Sequence, residues 1–345
     1  MPQAPSPTGF LNLHKPAGFT SHDCVALVRK AYGTRKVGHG GTLDPAATGV
    51  LPIALGQATR FLSFLSGQKL YQATFRLGVT SDTDDATGVI TAFVSDQDPC
   101  LLTLELTTIE AALQTMVGSI NQVPPLYSAV KRDGQKLYQR ARQGILATDL
   151  MIPARPVTIQ QIRILDWRPG HYPELDLDIL CGSGTYIRAI ARDLGQKLGC
   201  GGLMSALVRS QSGPFHLEAS VPLDQIRQMS RPESVLMPIE QGFADLAVVR
   251  LDPELAWRWG CGQRIPVEAL SLDAHDLGSY NGDPEDSSGL GSPNKNRPVQ
   301  VRRAEIGDQP DLADQVLADQ FLGLGQIEVD QLTALRVLPQ ISTRP

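Results

Sequence analysis

The sequence predicts an α+β fold: a mixed, mainly antiparallel sheet flanked by helices, followed by a small, mainly-β C-terminal module. Three observations carry this. Several segments alternate apolar and polar residues, the mark of strands covered on one face. Helical spacing recurs between them, most clearly over 184–199. No Gly-x-Gly-x-x-Gly run follows a strand and no P-loop is present, so a doubly wound sheet for nicotinamide or nucleotide chemistry is disfavoured.

Residues 1–8 are Pro-rich and expected to be a loose tail. FLNLH (10–14) reads as a strand stopped by Lys15-Pro16-Ala17-Gly18. Thr20 or Ser21 can then cap a helix, with Asp23 at its positive end, Cys24, Val25, Leu27, Val28 and Ala31 as its apolar face, and Gly33 as its stop. VLPIAL (50–55) is a short apolar strand, and 57–65 reads as helical. In 69–78, Tyr71, Ala73, Phe75 and Leu77 alternate with Leu70, Gln72, Thr74 and Arg76, giving a strand with one apolar face. SDTDDATG (81–88) reads as a turn-rich acidic loop. Residues 104–117 are helical in spacing, 127–131 extended, and 135–143 a short helix. Strands are expected over 157–167 and 174–181, then the helix of 184–199 with Ile187, Ile190, Ala191, Leu194 and Leu198 along one side and Gly199 at its end. A catalytic domain over 9–245 and a C-terminal module over 246–345 are expected. Within the latter, 268–298 is rich in Gly, Ser, Asp, Asn and Pro and reads as a flexible insertion.

Composition narrows the function. With 42% hydrophobic and 19% charged residues over 345 positions, the chain can bury a sizeable core. No apolar run is long enough for a membrane span, and the N-terminus does not read as a signal peptide. The 5 cysteines form no Cys-x-x-Cys pair and the 6 histidines no metal-ligand spacing, which suits a reducing cytoplasm and argues against a metal site. The net charge of −5 conceals an asymmetry: 1–80 holds 8 basic and 2 acidic residues, and 131–168 holds 8 and 3. Local basic patches, rather than the total, decide whether a polyanion docks.

The densest segment is GHGGTLDPAATGVLP (38–52), in which glycines and prolines surround the acid Asp44. Glycine permits close backbone approach, and Pro45 biases Asp44 away from helix, so Asp44 sits on a shaped loop entering the 50–55 strand. An Asx-turn aspartate would look the same. His39-Gly40-Gly41 could suggest a hydrolase oxyanion loop, but the chain has no Gly-x-Ser-x-Gly elbow. Gly184-Thr185-Tyr186-Ile187-Arg188 opens the clear helix, where Tyr186 and Arg188 can face a site. Alternatively Tyr186 packs, and Arg188 pairs with an acid such as Asp193. Tyr71 by default packs in the core. The segment 124–142, with Tyr127, Lys131, Arg132, Tyr138 and Arg142, combines rings and bases in the manner of surfaces for looped or single-stranded RNA.

Together these segments resemble the bacterial tRNA pseudouridine-55 synthases, the TruB family. The pieces are LNLHKPAGFTSHDCV, KVGHGGTLDPAATGVLPIALGQATR, KLYQATFRLGVTSDTDDATG, QVPPLYSAVKRDGQKLYQRAR and GSGTYIRAIARDLGQKLGCGGLMSALVRSQSGPF, in order over most of 10–215. The resemblance implies a pseudouridine synthase core and conversion of uridine to pseudouridine in the tRNA T-loop, with no cofactor or metal, by a cytoplasmic monomer. It implies three catalytic residues: Asp44 as the carboxylate, Arg188 beside it, and Tyr71, which stacks on the flipped base and assists proton movement. It implies His39 as a uridine contact, and Tyr186 and Leu207 as pocket residues. Arg188 beside Asp44 would favour the ionised carboxylate. Lys131 and Arg132 are expected to meet RNA phosphates. Val208-Arg209 departs from the family's usual pair of arginines, which puts peripheral RNA contacts in question. Three rival readings are a non-catalytic RNA-binding or tRNA-folding protein of the same fold, a glycosidase, and a plain α+β interaction domain. The lone acid at 44 argues against the glycosidase, which uses two facing acids.

Overall fold

The computed structural model describes residues 6–95, 98–128, 130–132, 134–141, 143, 152–230, 232–270, 298–304, 320–328 and 331–338. In chain order, the first strands and helices are β1 (Gly9–Lys15), α1 (Ser21–Ala31), β2 (Val37–His39), β3 (Thr48–Leu55), β4 (Lys69–Leu77), β5 (Val79–Ser81) and β6 (Ile90–Phe93). They are followed by α2 (Pro99–Leu102), α3 (Leu106–Gln114), β7 (Gly118–Gln122), β8 (Lys131–Arg132), β9 (Gln135–Lys136), α4 (Leu137–Ala141), β10 (Arg155–Arg168), β11 (Glu174–Cys181) and α5 (Ile187–Lys197). Next come β12 (Gly202–Ser212), β13 (Phe215–His216), β14 (Val221–Pro222), α6 (Leu223–Gln228), β15 (Val248–Leu251), α7 (Pro253–Gly260), β16 (Ile265–Pro266), β17 (Pro298–Arg303), β18 (Gln320–Glu328) and β19 (Gln331–Val337).

The central sheet runs β14-β1-β3-β12-β4-β11-β10-β7, with β2 joined to β3 and β13 to β12. It is antiparallel except where β1 meets β14 and β3 meets β12. The alternation in β4 falls as its sequence requires: Tyr71, Ala73, Phe75 and Leu77 are buried, and Gln72 faces out. Tyr71, Phe75, Leu177, Ile179, Ile190 and Leu194 share one core with Leu11, Leu13, Leu51 and Ile53, so α5 covers the face on which Tyr71 lies. Thr20 caps α1 through a reciprocal capping box with Asp23. The segment after β3 is a 3-10 helix, Gly56–Phe64. The helix expected from 184 begins only at Ile187, because Tyr186 is its extended N-cap residue.

A second, five-stranded sheet runs β15-β17-β18-β19-β16, with α7 beside it, and forms the mainly-β C-terminal module. Its Phe321 and Leu324 are buried in one cluster with Phe10, Phe61, Phe215 and Phe243 of the first unit. Of the insertion expected over 268–298, residues 271–297 lie outside the described residues, as do 1–5 of the N-terminal tail. Among the described residues, no helix is long and apolar enough to cross a membrane.

Candidate active site

The loop between β2 and β3 is fixed almost peptide by peptide. Arg209 on β12 is fully buried and donates from Nη2 to the Gly41 carbonyl at 3.1 Å, from Nη1 to Thr42 at 3.4 Å and from Nε to Val50 at 2.7 Å. Ser21 on α1 takes both polar groups of Leu43: its Oγ donates to the carbonyl at 3.2 Å and accepts from the N–H at 2.9 Å. The Pro45 carbonyl accepts from the Gly18 N–H at 2.9 Å and from Lys15 Nζ at 3.1 Å. Lys15 is also fully buried, and its other donors go to the carbonyls of Pro16 at 2.9 Å and Phe19 at 2.7 Å. Burial drives the Lys15 pKa down, opposed by the Cys24 thiol and the Asp44 carboxylate.

Asp44 projects from this frame with its side chain one-third exposed (33%), against 6% for Arg188. Arg188, in the first turn of α5, meets it with two nitrogens: Nη2 lies 3.0 Å from Oδ1 and Nε 2.9 Å from Oδ2. A guanidinium fork matches the two oxygens of an ionised carboxylate. The same guanidinium donates from Nη1 to the Thr83 carbonyl at 2.9 Å and from Nη2 to the Tyr127 carbonyl at 3.0 Å. Its Nε also lies 3.7 Å from Asp85 Oδ2. Arg188 thus ties the Asp44 loop to the 81–88 loop and to the 123–128 segment. One turn on, Arg192 repeats the tie, donating to Asp84 Oδ2 at 2.9 Å and to the Val123 carbonyl at 2.8 Å. Asp84 carries the positive φ (59°) found here outside glycine among the described residues.

These contacts separate two readings of Arg188 and correct one expectation. Arg188 pairs with Asp44, as expected, and the alternative partner Asp193 pairs with Arg192 at 2.8 Å. Asp44 is not the lone acid at the site, because the 81–88 loop brings in Asp85. Asp85 does not face Asp44 as a free second acid. It is buried, and its Oδ1 accepts from Thr83 Oγ1 at 2.8 Å, Thr87 N at 2.9 Å and Thr87 Oγ1 at 2.6 Å.

Tyr71 is buried on β4, opposite Arg209 of β12 and Ile179 of β11. Burial raises its pKa; the Arg209 charge opposes this and the Asp44 charge adds to it, so Tyr71 lies within the field of both. Leu207, buried two residues before Arg209, stands opposite Ala73. Tyr186 is held through its backbone: its N–H donates to Gln122 Oε1 at 2.9 Å and its carbonyl accepts from Gln122 Nε2 at 3.1 Å. His39 is half-buried and packs edge-on to His22 with ring centroids 5.4 Å apart. Its Nδ1 accepts from the Gly41 N–H at 3.4 Å, which leaves the proton of the neutral ring on Nε2. Burial lowers its pKa, and His22 and Arg209 lower it further, so the neutral ring is favoured. Lys131 and Arg132 form β8, paired with β9.

Lys15, Ser21, Asp85 and Arg209 were not legible as site residues. The signal for Lys15 was the Lys-Pro stop of β1. For Arg209 it was the lone base of its strand, directly after the apolar pair Leu207-Val208; the residue anchors the Asp44 loop instead of standing at the periphery.

The chain matches two family models, "TruB family pseudouridylate synthase (N terminal domain)" over residues 29–187 and "tRNA pseudouridylate synthase B C-terminal domain" over 188–244. Among curated relatives named tRNA pseudouridine synthase B, that of Gloeobacter violaceus is 52% identical over 259 residues, covering 75% of this chain and 86% of its own. That of Synechocystis sp. is 48% identical, covering 76% and 87%. The fold is similar to a chain in a crystal structure of a Cbf5-Nop10-Gar1 complex (TM-score 0.64, 24% identity, 97% of this chain and 85% of that one). It is likewise similar to a chain in an H/ACA RNP bound to a substrate RNA containing 2'-deoxyuridine (TM-score 0.63, 20% identity, 97% and 87%). By its family models and by the identity it shares with these curated relatives over three quarters of its length, the chain belongs to the TruB family of pseudouridylate synthases.

Proposed function

We propose that this chain isomerises uridine to pseudouridine at position 55 in the T-loop of tRNA, acting in the cytoplasm as a monomer with Asp44 as the essential carboxylate. The observation that carries this reading is the pairing of Asp44 with Arg188 on a rigid loop, with a third of the carboxylate still open. The relatives' names supply the substrate class.

The reaction breaks the C1′–N1 bond, turns the uracil, and joins C5 to C1′. The C5 proton is lost and N1 gains one, so the product is an isomer and the atom balance needs no co-reactant. Asp44 can serve this by attack at C1′, by attack at C6, or as the base that yields a glycal intermediate. Each route needs an ionised carboxylate, and the Arg188 fork lies against both of its oxygens. Tyr71 stacks on the flipped base with its hydroxyl protonated. His39, Tyr186 and Leu207 line the pocket that retains the freed uracil. Asp85 orients Arg188. Residues 9–245 carry the chemistry. The module over 246–345 adds RNA contact, as do Lys131 and Arg132 through phosphates.

The test is purified protein with an unmodified tRNA transcript, followed by mapping of pseudouridine at single-nucleotide resolution. New pseudouridine confined to position 55 is expected. Tight binding with no pseudouridine would favour a non-catalytic RNA-binding protein of the same fold.

A further inference from the structure

Two lysines approach the Asp44 loop, and they use their donors differently. Lys15 places all three N–H groups on backbone carbonyls, those of Pro16, Phe19 and Pro45. Lys69, at the start of β4, places one, on the Gly67 carbonyl at 3.1 Å. Among the described residues, two of its donors are left over and no carboxylate pairs with it.

Lys69 is half-buried, and its position is specific. It lies two residues before Tyr71, so the two side chains leave the same face of β4, about 7 Å apart along the strand. It stands opposite Cys181 of β11 and Ser212 of β12. Its stem reaches the Gly-rich loop: a Cβ added at Gly41 would lie 3.4 Å from Lys69 Cε and 3.6 Å from Arg209 Nη1. The charged and titratable groups that act on it are the Arg209 guanidinium and the Cys181 thiol. Burial lowers its pKa, and Arg209 lowers it further. A cation withdrawn from water beside a second cation and lacking an acid costs stability, and an apolar residue would fill the same place at less cost. Arg209 accounts for itself by holding three carbonyls. The spare donors of Lys69 do not.

We infer that Lys69, backed by Arg209, is the subsite for one phosphodiester of the RNA strand that presents its uridine to Asp44. The inference rests on the activity proposed above. An anionic oxygen there would take the two spare N–H groups and neutralise part of the positive field. It would fix the strand one step from the ring on which the base stacks.

The test is a pair of variants and a set of T-arm stem-loops, each carrying one neutral methylphosphonate at a phosphate flanking the target uridine. Lys69→Met keeps the stem and removes the charge; Lys69→Arg keeps the charge. Lys69→Met is expected to flatten the log–log salt dependence of binding by about 0.7 to 0.9, the contribution of one phosphate contact, and Lys69→Arg to restore most of it. One methylphosphonate should weaken binding to the parent protein tenfold or more and have under a twofold effect on Lys69→Met. The melting temperature of Lys69→Met should equal or exceed that of the parent. An unchanged salt slope, equal methylphosphonate effects in both proteins, or a melting temperature lowered by several degrees would overturn the assignment, the last by making Lys69 a structural anchor for Gly67. Parent protein that binds the stem-loops and forms no pseudouridine would sink the proposed activity instead. The methylphosphonate coupling would still decide the phosphate site.

Discussion

Gly49 lies directly against the backbone of Arg209. The two pair where β3 runs parallel to β12, and a Cβ at 49 would come within 2.3 Å of the Arg209 carbonyl oxygen. Gly49 also holds a φ of 103°, which L side chains rarely adopt. The glycine that closes the Ala-Ala-Thr-Gly run therefore lets the strand carrying Arg209 reach the loop carrying Asp44. Gly49→Ala should cost about 2–5 kcal/mol from backbone strain and overpacking combined, read as a lower melting temperature. At a temperature where the variant is still folded, its chemical step should be slowed, because the loop that presents Asp44 has shifted. A melting temperature within two degrees of the parent would mean that β3 and β12 separate at little cost.

Asp44→Asn keeps the side-chain volume and removes the charge that faces Arg188. Single-turnover rates should fall by several orders of magnitude while tRNA affinity, measured by equilibrium binding, changes little, since the acid at 44 holds none of the proposed phosphate contacts. A variant retaining a tenth of the parent rate would remove Asp44 from the role of essential carboxylate.

How far the site could be read in advance depends on the range of each signal. The Gly/Pro-shaped turn around Asp44 and the periodicity of 187–197 are local, and both lie where expected. The face of β4 that carries Tyr71 followed from alternation alone. What could not be read is long-range and electrostatic. Nothing local distinguishes Asp85 from its neighbours in Asp82-Thr83-Asp84-Asp85. It becomes part of the site only because α5 brings Arg188 to within 3.7 Å. Lys15 and Arg209 are the lone Lys/Arg residues of strands that also hold uncharged polar residues, a pattern that reads equally as an exposed strand edge. Their role appears only once the carbonyls of the Asp44 loop need donors, and those carbonyls are up to 168 residues away in the chain.

The Tyr71 hydroxyl is held above its ordinary value of 10.0 by burial, against the weaker opposing pull of Arg209. Below pH 10 it is protonated in both the folded and the unfolded chain. As pH rises past 10 the unfolded chain gives up this proton first, so the Tyr71 contribution to stability is present below that pH and is lost above it. Tyr71→Phe should therefore lower the chemical rate without moving any alkaline limb of the pH–rate profile below pH 10. It should also make alkaline unfolding less steep. A limb that disappears with the hydroxyl would show that Tyr71 ionises during turnover.

The C-terminal sheet meets the rest of the chain through a shared core, and this sets what its removal does. Phe321 and Leu324 of β18 are buried against Phe61 and Phe243. Gln300 of β17 donates to the Phe243 carbonyl at 2.7 Å, and the Arg336 guanidinium lies 5.9 Å from the centroid of the Phe64 ring. Deleting 246–345 uncovers that aromatic cluster. The truncated protein should lose about 5 kcal/mol of stability and melt about 10 °C lower or more, with a tendency to aggregate. Asp44, Tyr71 and Arg188 lie on the β2–β3 loop, β4 and α5, all before residue 246, so chemistry and binding should separate. In the cold, with the truncated protein shown to be folded, the single-turnover rate at saturating tRNA should stay within about threefold of the parent while KM rises. Phe321→Ala in the full-length chain provides the control. It should lower the melting temperature through a cavity of about 3–5 kcal/mol and leave both kinetic constants near those of the parent. If the chemical step collapses in folded truncated protein while Phe321→Ala remains fully active, the C-terminal sheet contributes to the active site itself, and the division of labour between the two sheets proposed here is wrong.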